Sequence, residues 1–513
     1  MSFFPIPKLD NLLSTLSDRA RHDVREELFS KEQDKHRIAL RLRELLPPLF
    51  DLEYIENAIF PALVTSVFQG ERLSLPMLDI EKLSKQDALP FFFWGMLYDN
   101  WEPNLEEEGL SVFIQGYENR GYANERKRIY YSAITPDLYQ PMYQGKIVSF
   151  FDDLLDARNA NKPIMREYLD TYFDLYWDLH LGVRGNAIPR EVRQIGESFN
   201  TVLAYVNPIE DIVHDNYIRV RGLRQHLRSW IDARVTELTD GQIPEPEKTF
   251  VYYWLKNGEQ GANFRRKDII FECFHNFVAL SQWGNTLYRI MTLLSRDVGA
   301  ADVRASFAAT MSGNFDEPDG TAFTPLDRFV MELFRTISPN DGSISTLAET
   351  GQLDPLYPRY GYMTNPHRES SVDPRHWLNP TEFDPNRYIT APTSDQIDEA
   401  RAKEIGFAQC PFHKETLQVK DGRDTELTNS AFGTVFATKG EQVYPVCDYA
   451  GYAPFGFGYR RCPGEQFTVD FIKDFLRKVW RDQIQFYRLD IQRPEELPVG
   501  PVAVVEDNIG FTK

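Results

Sequence analysis

One cysteine constrains this chain more than any other feature. The segment Pro454-Phe455-Gly456-Phe457-Gly458-Tyr459-Arg460-Arg461-Cys462-Pro463-Gly464 reads as a glycine-bearing hairpin that delivers Cys462 to the start of a helix. Gly456 and Gly458 let backbone come close to something flat and bulky. Pro463 suits the first turn of a helix, and beyond it Phe467, Phe471, Phe475 and Val479 recur every four residues, which predicts a helix from Pro463 to Trp480. A cysteine just before such a helix faces free N–H groups and the positive end of the dipole, and both favour thiolate over thiol. Arg460 and Arg461 add positive charge, and one of them is suited to pair with a carboxylate on a bound cofactor. A thiolate on such a loop suits an axial ligand to haem iron, onto which it pushes electron density.

The rest of the composition narrows the class without naming it. The chain has 513 residues, with 57 basic against 76 acidic side chains, a formal net charge of −19. That charge repels nucleic acid and anionic lipid at long range, so no nucleic-acid partner is expected. Hydrophobic residues at 42% and aromatics at 13% exclude a disordered or collagen-like chain. Four cysteines, at 273, 410, 447 and 462, are too few for a disulfide-stapled scaffold of this size. The first residues, Met1 to Asp10, lack the pattern of a secretory signal. The longest apolar stretch, Leu89 to Tyr98, falls well short of the roughly twenty residues that span a bilayer. It reads as core, with membrane-surface docking or the wall of an apolar channel as alternatives. The expectation is a folded cytoplasmic protein with no transmembrane anchor.

Along the chain, amphipathic periodicity predicts helices over Asp18 to Leu46, Tyr168 to Leu181, Asn200 to Tyr217 and Lys267 to Arg296. After Ile337, Pro, Gly, Asn and Asp become frequent and apolar runs shorten, which predicts loops and small sheets before the helix at 463. There is no internal repeat. The expected architecture is mainly α with a smaller β-rich part (α+β). The expected division is an N-terminal helical extension over 1–60 and one mixed domain over 61–513, with an insertion at about 391–450.

The cysteine segment resembles the haem-ligand signature of the cytochromes P450, F-G-x-G-x-R-x-C-x-G, with every fixed position present. Glu332-Leu333-Phe334-Arg335 is similar to the family's E-x-x-R, whose spacing puts both side chains on one helix face. Asn365-Pro366-His367-Arg368 and the run from His376 to Tyr388, including Trp377, Pro380, Phe383, Pro385 and Arg387, resemble the segments that follow it in the family, in the same order. The resemblance implies a single triangular domain, with haem b held between a long central helix and the cysteine-loop helix. It implies Cys462 as the iron ligand, Phe455, Gly456, Gly458, Arg460 and Gly464 as the cofactor cradle, and Glu332, Arg335 and Arg387 as a buried ionic triad. The stretch from Asn124 to Pro136 is similar to the family's C helix, with Arg128 in the basic position expected to meet a haem propionate; read without the resemblance, Arg126 to Arg128 is a solvated face. Asn124 stands where tryptophan is usual, and Ile344 to Leu347 offer no basic residue at the second propionate position, so propionate binding must differ in part. The insertion reads as a surface loop on the proximal side or as a partner-docking element.

The predicted central helix, Asp268 to Leu294, departs from the family. Oxygen-activating members carry an acid and a threonine at its middle, and here the middle reads Phe271-Glu272-Cys273-Phe274-His275-Asn276-Phe277-Val278-Ala279-Leu280-Ser281-Gln282-Trp283. His275 and Asn276 are polar residues on an apolar helix, and two readings stay open. They are core groups satisfied by neighbours, or catalytic groups facing the iron, since Cys273 to Phe277 is similar to the C-F-N-x-F segment of hydroperoxide-rearranging P450s. The resemblance therefore implies a haem-thiolate monooxygenase acting on a lipophilic small molecule, served by a separate ferredoxin- or flavodoxin-type redox partner on the proximal face. The alternatives are a reductase-independent hydroperoxide isomerase, lyase or peroxygenase, and a haem-binding protein without catalysis.

Overall fold

Among the described residues, amphipathic periodicity becomes helix in the stretches predicted at 168–181 and 267–296, the second ending at Leu294. The computed structural model describes residues 40, 89–90, 129–193, 226–258, 266–321, 323–337, 343–346, 362–365, 371–372, 374, 377–389, 415–418, 422–427, 436–439, 442–445, 452, 454–455, 462–500 and 503–513. Apart from Leu40, the helix predicted at 18–46 lies outside these residues, as do the helix predicted at 200–217, Cys410, Cys447 and the rest of 1–60. After a wide π turn at Tyr139–Tyr143, α1 runs over Gln144–Leu154, α2 over Met165–Leu181, α3 over Phe250–Gly258 and α4 over Arg266–Leu294. Ala301–Met311 forms α5, Pro325–Thr336 α6 and Glu465–Arg481 α7. Among the described residues no helix is long and apolar enough to cross a membrane.

Local chemistry sets several of these ends. Helix α2 stops at Gly182, which takes the left-handed conformation (φ 66°) that closes a helix without a Cβ penalty. Helix α6 starts on a capping box: Asp327 N–H donates to Thr324 Oγ1, and Thr324 N–H donates back to the Asp327 carboxylate, both at 3.0 Å, with Pro325 in the first turn. Helix α7 begins at Glu465 with Gly464 as its cap, two residues later than Pro463 leads one to expect. The reason is upstream: Cys462 N–H is drawn back to the Phe455 carbonyl at 2.9 Å, so the chain at Cys462 and Pro463 still closes the hairpin instead of entering the helix.

The strands are short and antiparallel. Ser343–Thr346 (β2) sits between Leu89–Pro90 (β1) and Tyr362–Asn365 (β3), with Leu89 opposite Thr346 and Ser343 opposite Asn365. Only this tip of the apolar stretch at 89–98 is described. Between 415 and 445 lie two hairpins, Glu415–Gln418 (β4) with Asp424–Leu427 (β5), and Phe436–Lys439 (β6) with Gln442–Pro445 (β7). Near the C-terminus Gln485–Arg488 (β8) pairs with Ile509–Thr512 (β11), and Glu496–Gly500 (β9) with Ala503–Glu506 (β10). The mixture of long helices and small antiparallel sheets is the α+β class read from the sequence.

The core is aromatic, and its centre is a helix crossing. Trp283 of α4 stacks on Phe471 of α7 (centroids 4.0 Å apart, 15° between planes) and lies parallel to Phe467 at 5.9 Å, while its indole N–H donates to Thr468 Oγ1 at 3.0 Å. A buried indole thus finds its one required acceptor, and offset stacking adds about 1 kcal/mol per pair beyond burial. The next residue, Gly284, leaves no room for a side chain: a Cβ there would stand 2.7 Å from the Tyr168 ring and 2.8 Å from the Val499 carbonyl. Its absence lets α2, α4 and β9 meet. The β4–β5 hairpin is tied down beside Arg423. Arg423, in the turn between β4 and β5, donates to the Ser132 carbonyl (2.8 Å) and Thr135 Oγ1 (3.1 Å), pairs with Asp137 (3.2 Å) and lies over the Tyr253 ring at 4.7 Å.

Candidate functional site

The cysteine is presented at the head of α7. Its backbone bond to Phe455 closes the loop, and Phe455 sets its ring edge-on against Phe334 of α6, centroids 5.0 Å apart. Cys462 is free of disulfide and half-buried, so its sulfur is neither sealed in the core nor fully exposed to water. Gly464 stands directly beneath it, with its missing Cβ position 3.7 Å from Sγ. Cys273, the other described cysteine, is fully buried in α4, and burial followed by the Glu272 charge pushes its thiol well up. It is an inert core thiol.

Behind the loop the structure brings Glu332, Arg335 and Arg387 together. Arg335 donates to both Glu332 oxygens (2.8 and 2.7 Å), and Arg387 Nε donates to Oε1 at 3.0 Å. Glu332 and Arg335 have no exposed surface. The carboxylate also accepts from Tyr388 O–H (3.0 Å) and the Asp384 backbone N–H (2.9 Å). Arg335 spends its remaining donors on the carbonyls of Ser371, Pro380 and Glu382, and Arg387 on those of Leu378 and Glu382. Burial alone pulls the Arg335 guanidinium down, but its hydrogen bond and charge contact with Glu332 outweigh this and hold it above its ordinary value. Both guanidiniums lie near the Trp377 ring, at 5.3 and 5.7 Å. The cluster therefore nails the segment 371–388 onto α6. That segment in turn packs Trp377 and Tyr388 against Tyr452, whose hydroxyl donates to the Met331 carbonyl at 3.1 Å. Tyr452 lies two residues before the cysteine loop, so the triad fixes the floor from which the loop rises.

Of the two polar residues singled out in α4, the structure describes the surroundings of Asn276. Asn276 is fully buried: Tyr130 O–H donates to its Oδ1 at 2.8 Å, and its amide nitrogen lies 3.2 Å from His180 Nε2. The tautomer of His180 follows from its other nitrogen, which lies 2.8 Å from the Tyr176 carbonyl. That oxygen only accepts, so Nδ1 carries the proton and Nε2 accepts from Asn276. Asn276 thus joins three elements, α4, α2 and the segment before α1, through buried bonds. Tyr130 and His180 carry no signal in the sequence, because nothing in either local pattern separates them from ordinary core aromatics. For His275 the structure describes the backbone position in α4 only. Arg128, Gly456, Gly458, Arg460 and Arg461 lie outside the described residues.

Burial drives the His180 imidazole down to about 3, and Lys146 adds to this against the opposing Tyr176 bond. The unfolded chain protonates this histidine near its ordinary value of about 6.5, so the unfolded state binds more protons below that pH. His180 then contributes stability that is complete above pH 6.5 and is lost as pH falls toward 3. Each pH unit removes about 1.4 kcal/mol, or about 2 kcal/mol between pH 6.5 and 5. Urea unfolding of the wild type and of His180→Gln at both pH values checks this: the wild type loses the larger share, and equal losses remove His180 as the source.

No protein-family model matches the chain, and no curated protein matches it. Solved structures do. The chain is similar to a retinoic acid-bound cyanobacterial CYP120A1 (15% identity, 85% of this chain and 87% of that one, TM-score 0.56). It is similar to the cytochrome P450DA heme domain (12% identity, 85% and 86%, TM-score 0.54) and to a variant of cytochrome P450SP alpha, CYP152B1 (12%, 83% and 85%, 0.51). At such low identity the likeness speaks to architecture, and with the ion cluster on α6 and the cysteine at the head of α7 it leads to one statement: the chain has the cytochrome P450 fold.

Proposed function

We propose that the protein is a haem-thiolate enzyme of cytochrome P450 type that oxidises a lipophilic small molecule, with haem b held by Cys462. The observation that carries the reading is the placement of Cys462: a half-buried, unbridged thiol at the head of α7, on a loop stiffened by the Phe455 carbonyl and backed by the Glu332 cluster. The residues present fit the group. The Cys462 sulfur would hold the iron, its place ahead of the first turn of α7 suits a thiolate, and Gly464 leaves the space beside it clear. Phe455, Gly456, Gly458 and Arg460 are the proposed cradle, and Arg128 and Arg460 the cations for the propionates. When bound, such a group supplies cleavage of an O–O bond and delivery of one oxygen atom. The chain's own part is to hold sulfur ionised, exclude water and orient substrate; His275 is the candidate for contact with the reacting oxygen.

A monooxygenase of this kind draws electrons from a separate ferredoxin- or flavodoxin-type partner. A second reading rests on α4: its middle carries no adjacent acid and threonine, and its buried amide is engaged by Tyr130 and His180. That favours a substrate or oxidant that already contains the O–O bond, a fatty acid hydroperoxide or hydrogen peroxide, with no reductant. Stopped-flow measurement on the haem-loaded protein decides. NAD(P)H oxidation coupled to product through an added redox chain supports the monooxygenase. Rapid consumption of a fatty acid hydroperoxide without reductant overturns it in favour of the second reading, and haem binding with neither activity overturns both.

A further inference from the structure

The contacts of α4 define more than a packing arrangement. Asn276 and Trp283 are seven residues apart, two turns to within about 20°, so they occupy one face of the helix about 10 Å apart. At the upper end Asn276 is gripped by two side chains from different elements, Tyr130 from the segment preceding α1 and His180 from α2. At the lower end Trp283 is bonded to Thr468 of α7, the helix headed by Cys462.

Both grips at the upper end are themselves immobilised. The Tyr130 ring stacks on Trp254 at 5.3 Å, and the Trp254 indole N–H donates to the Tyr130 carbonyl at 3.0 Å. His180 stacks on Tyr176 at 4.1 Å and meets the edges of Phe250 (4.8 Å) and Trp254 (5.8 Å). Tyr176 in turn donates its hydroxyl to the Cys273 carbonyl, one turn before Asn276 on the same helix. An amide held by one donor and one acceptor from two directions resists rotation of the helix about its axis, whereas apolar packing alone tolerates it. Positions 275, 278 and 282 lie on another face of α4, turned by about 100° or more from the pinned one. The setting of the pinned face fixes where that other face stands.

We infer that Asn276 is a positioning residue: held by Tyr130 and His180, at one end of a two-turn stretch that Trp283 secures to α7 at the other, it sets the rotation of α4 and hence which face of the helix meets a molecule bound over Cys462. This inference rests on the haem reading above, and the experiment separates the two. The probe is 4-phenylimidazole, a ligand of ferric haem iron bulky enough to press on the opposite helix, titrated by the shift of the haem absorption band. Asn276→Leu removes both bonds at nearly constant volume, and Tyr130→Phe removes one. Tyr139→Phe, which breaks a comparable buried bond to Asp474 on α7, is the control for general loosening.

Tyr130→Phe is expected to weaken the probe by about tenfold, the size of one lost buried hydrogen bond, and Asn276→Leu by at least as much, with Tyr139→Phe within about twofold of wild type. Unchanged affinity in the first two, or equal weakening in all three, overturns the positioning role and leaves the network as core. If Asn276→Leu does not fold, Tyr130→Phe alone decides. A wild-type protein that takes up no haem shows no band at all and overturns the haem reading, and the positioning role with it.

Discussion

Replacing Cys462 by serine abolishes the red-shifted band of the reduced carbonyl adduct and all turnover, while the apoprotein keeps its helical content. The expected effect is all-or-none because a serine hydroxyl is a far weaker acid than a thiol and stays protonated, and a neutral oxygen pushes little electron density toward iron. The substitution is nearly isosteric at a half-buried position, and the Cys462 N–H still reaches the Phe455 carbonyl. Loss of the band with an unchanged far-ultraviolet dichroism spectrum therefore reports ligation and not unfolding. A Cys462→Ser protein that retains the red-shifted band places the ligand elsewhere and sinks the functional reading.

Glu332→Gln is the second large effect, and it falls on stability. The carboxylate takes hydrogen bonds from Arg335, Arg387, Tyr388 and the Asp384 backbone inside a site without solvent contact. An amide keeps one acceptor but points two donors at guanidiniums that already have none to accept. The fully buried Arg335 and the largely buried Arg387 lose their counter-charge, and breaking a buried pair in this way costs about 3–5 kcal/mol. Set against a typical domain stability of about 5–15 kcal/mol, the variant sits near the threshold of folding. Paired removal, Glu332→Leu with Arg335→Met, does not rescue it, since Arg335 also satisfies the carbonyls of Ser371, Pro380 and Glu382. Urea midpoints measure both variants; a shift in Glu332→Gln worth less than about 1 kcal/mol contradicts the structural role.

What was legible in the sequence followed from spacing. The three-residue interval of Glu332 and Arg335 puts them on one helix face, and the four-residue recurrence of Phe467, Phe471, Phe475 and Val479 foretold a buried stripe, which all four occupy. The central helix was expected over 268–294 and spans Arg266–Leu294. The start of α7 was misplaced by two residues because a proline at 463 signals a helix only when the chain is free to turn there, and the Cys462 bond to Phe455 holds it back. The partners of Asn276 were not legible at all. They come from positions 146 and 96 residues away, and no local period encodes a contact made by tertiary folding. Nor did the polar pattern of α4 tell a ligand-facing amide from a satisfied one, since both look like a lone asparagine on an apolar face.

Arg423 carries a consequence for how the molecule tolerates change. Its guanidinium clasps the backbone at Ser132 and the side chains of Thr135 and Asp137, a short step along the chain from Tyr130. Surface additions are ordinarily disposable, because their removal frees nothing beneath them. Here trimming the hairpin beside Arg423 unfastens the strip of chain from which Tyr130 steadies the midpoint of α4, so two stretches 291 residues apart are mechanically joined.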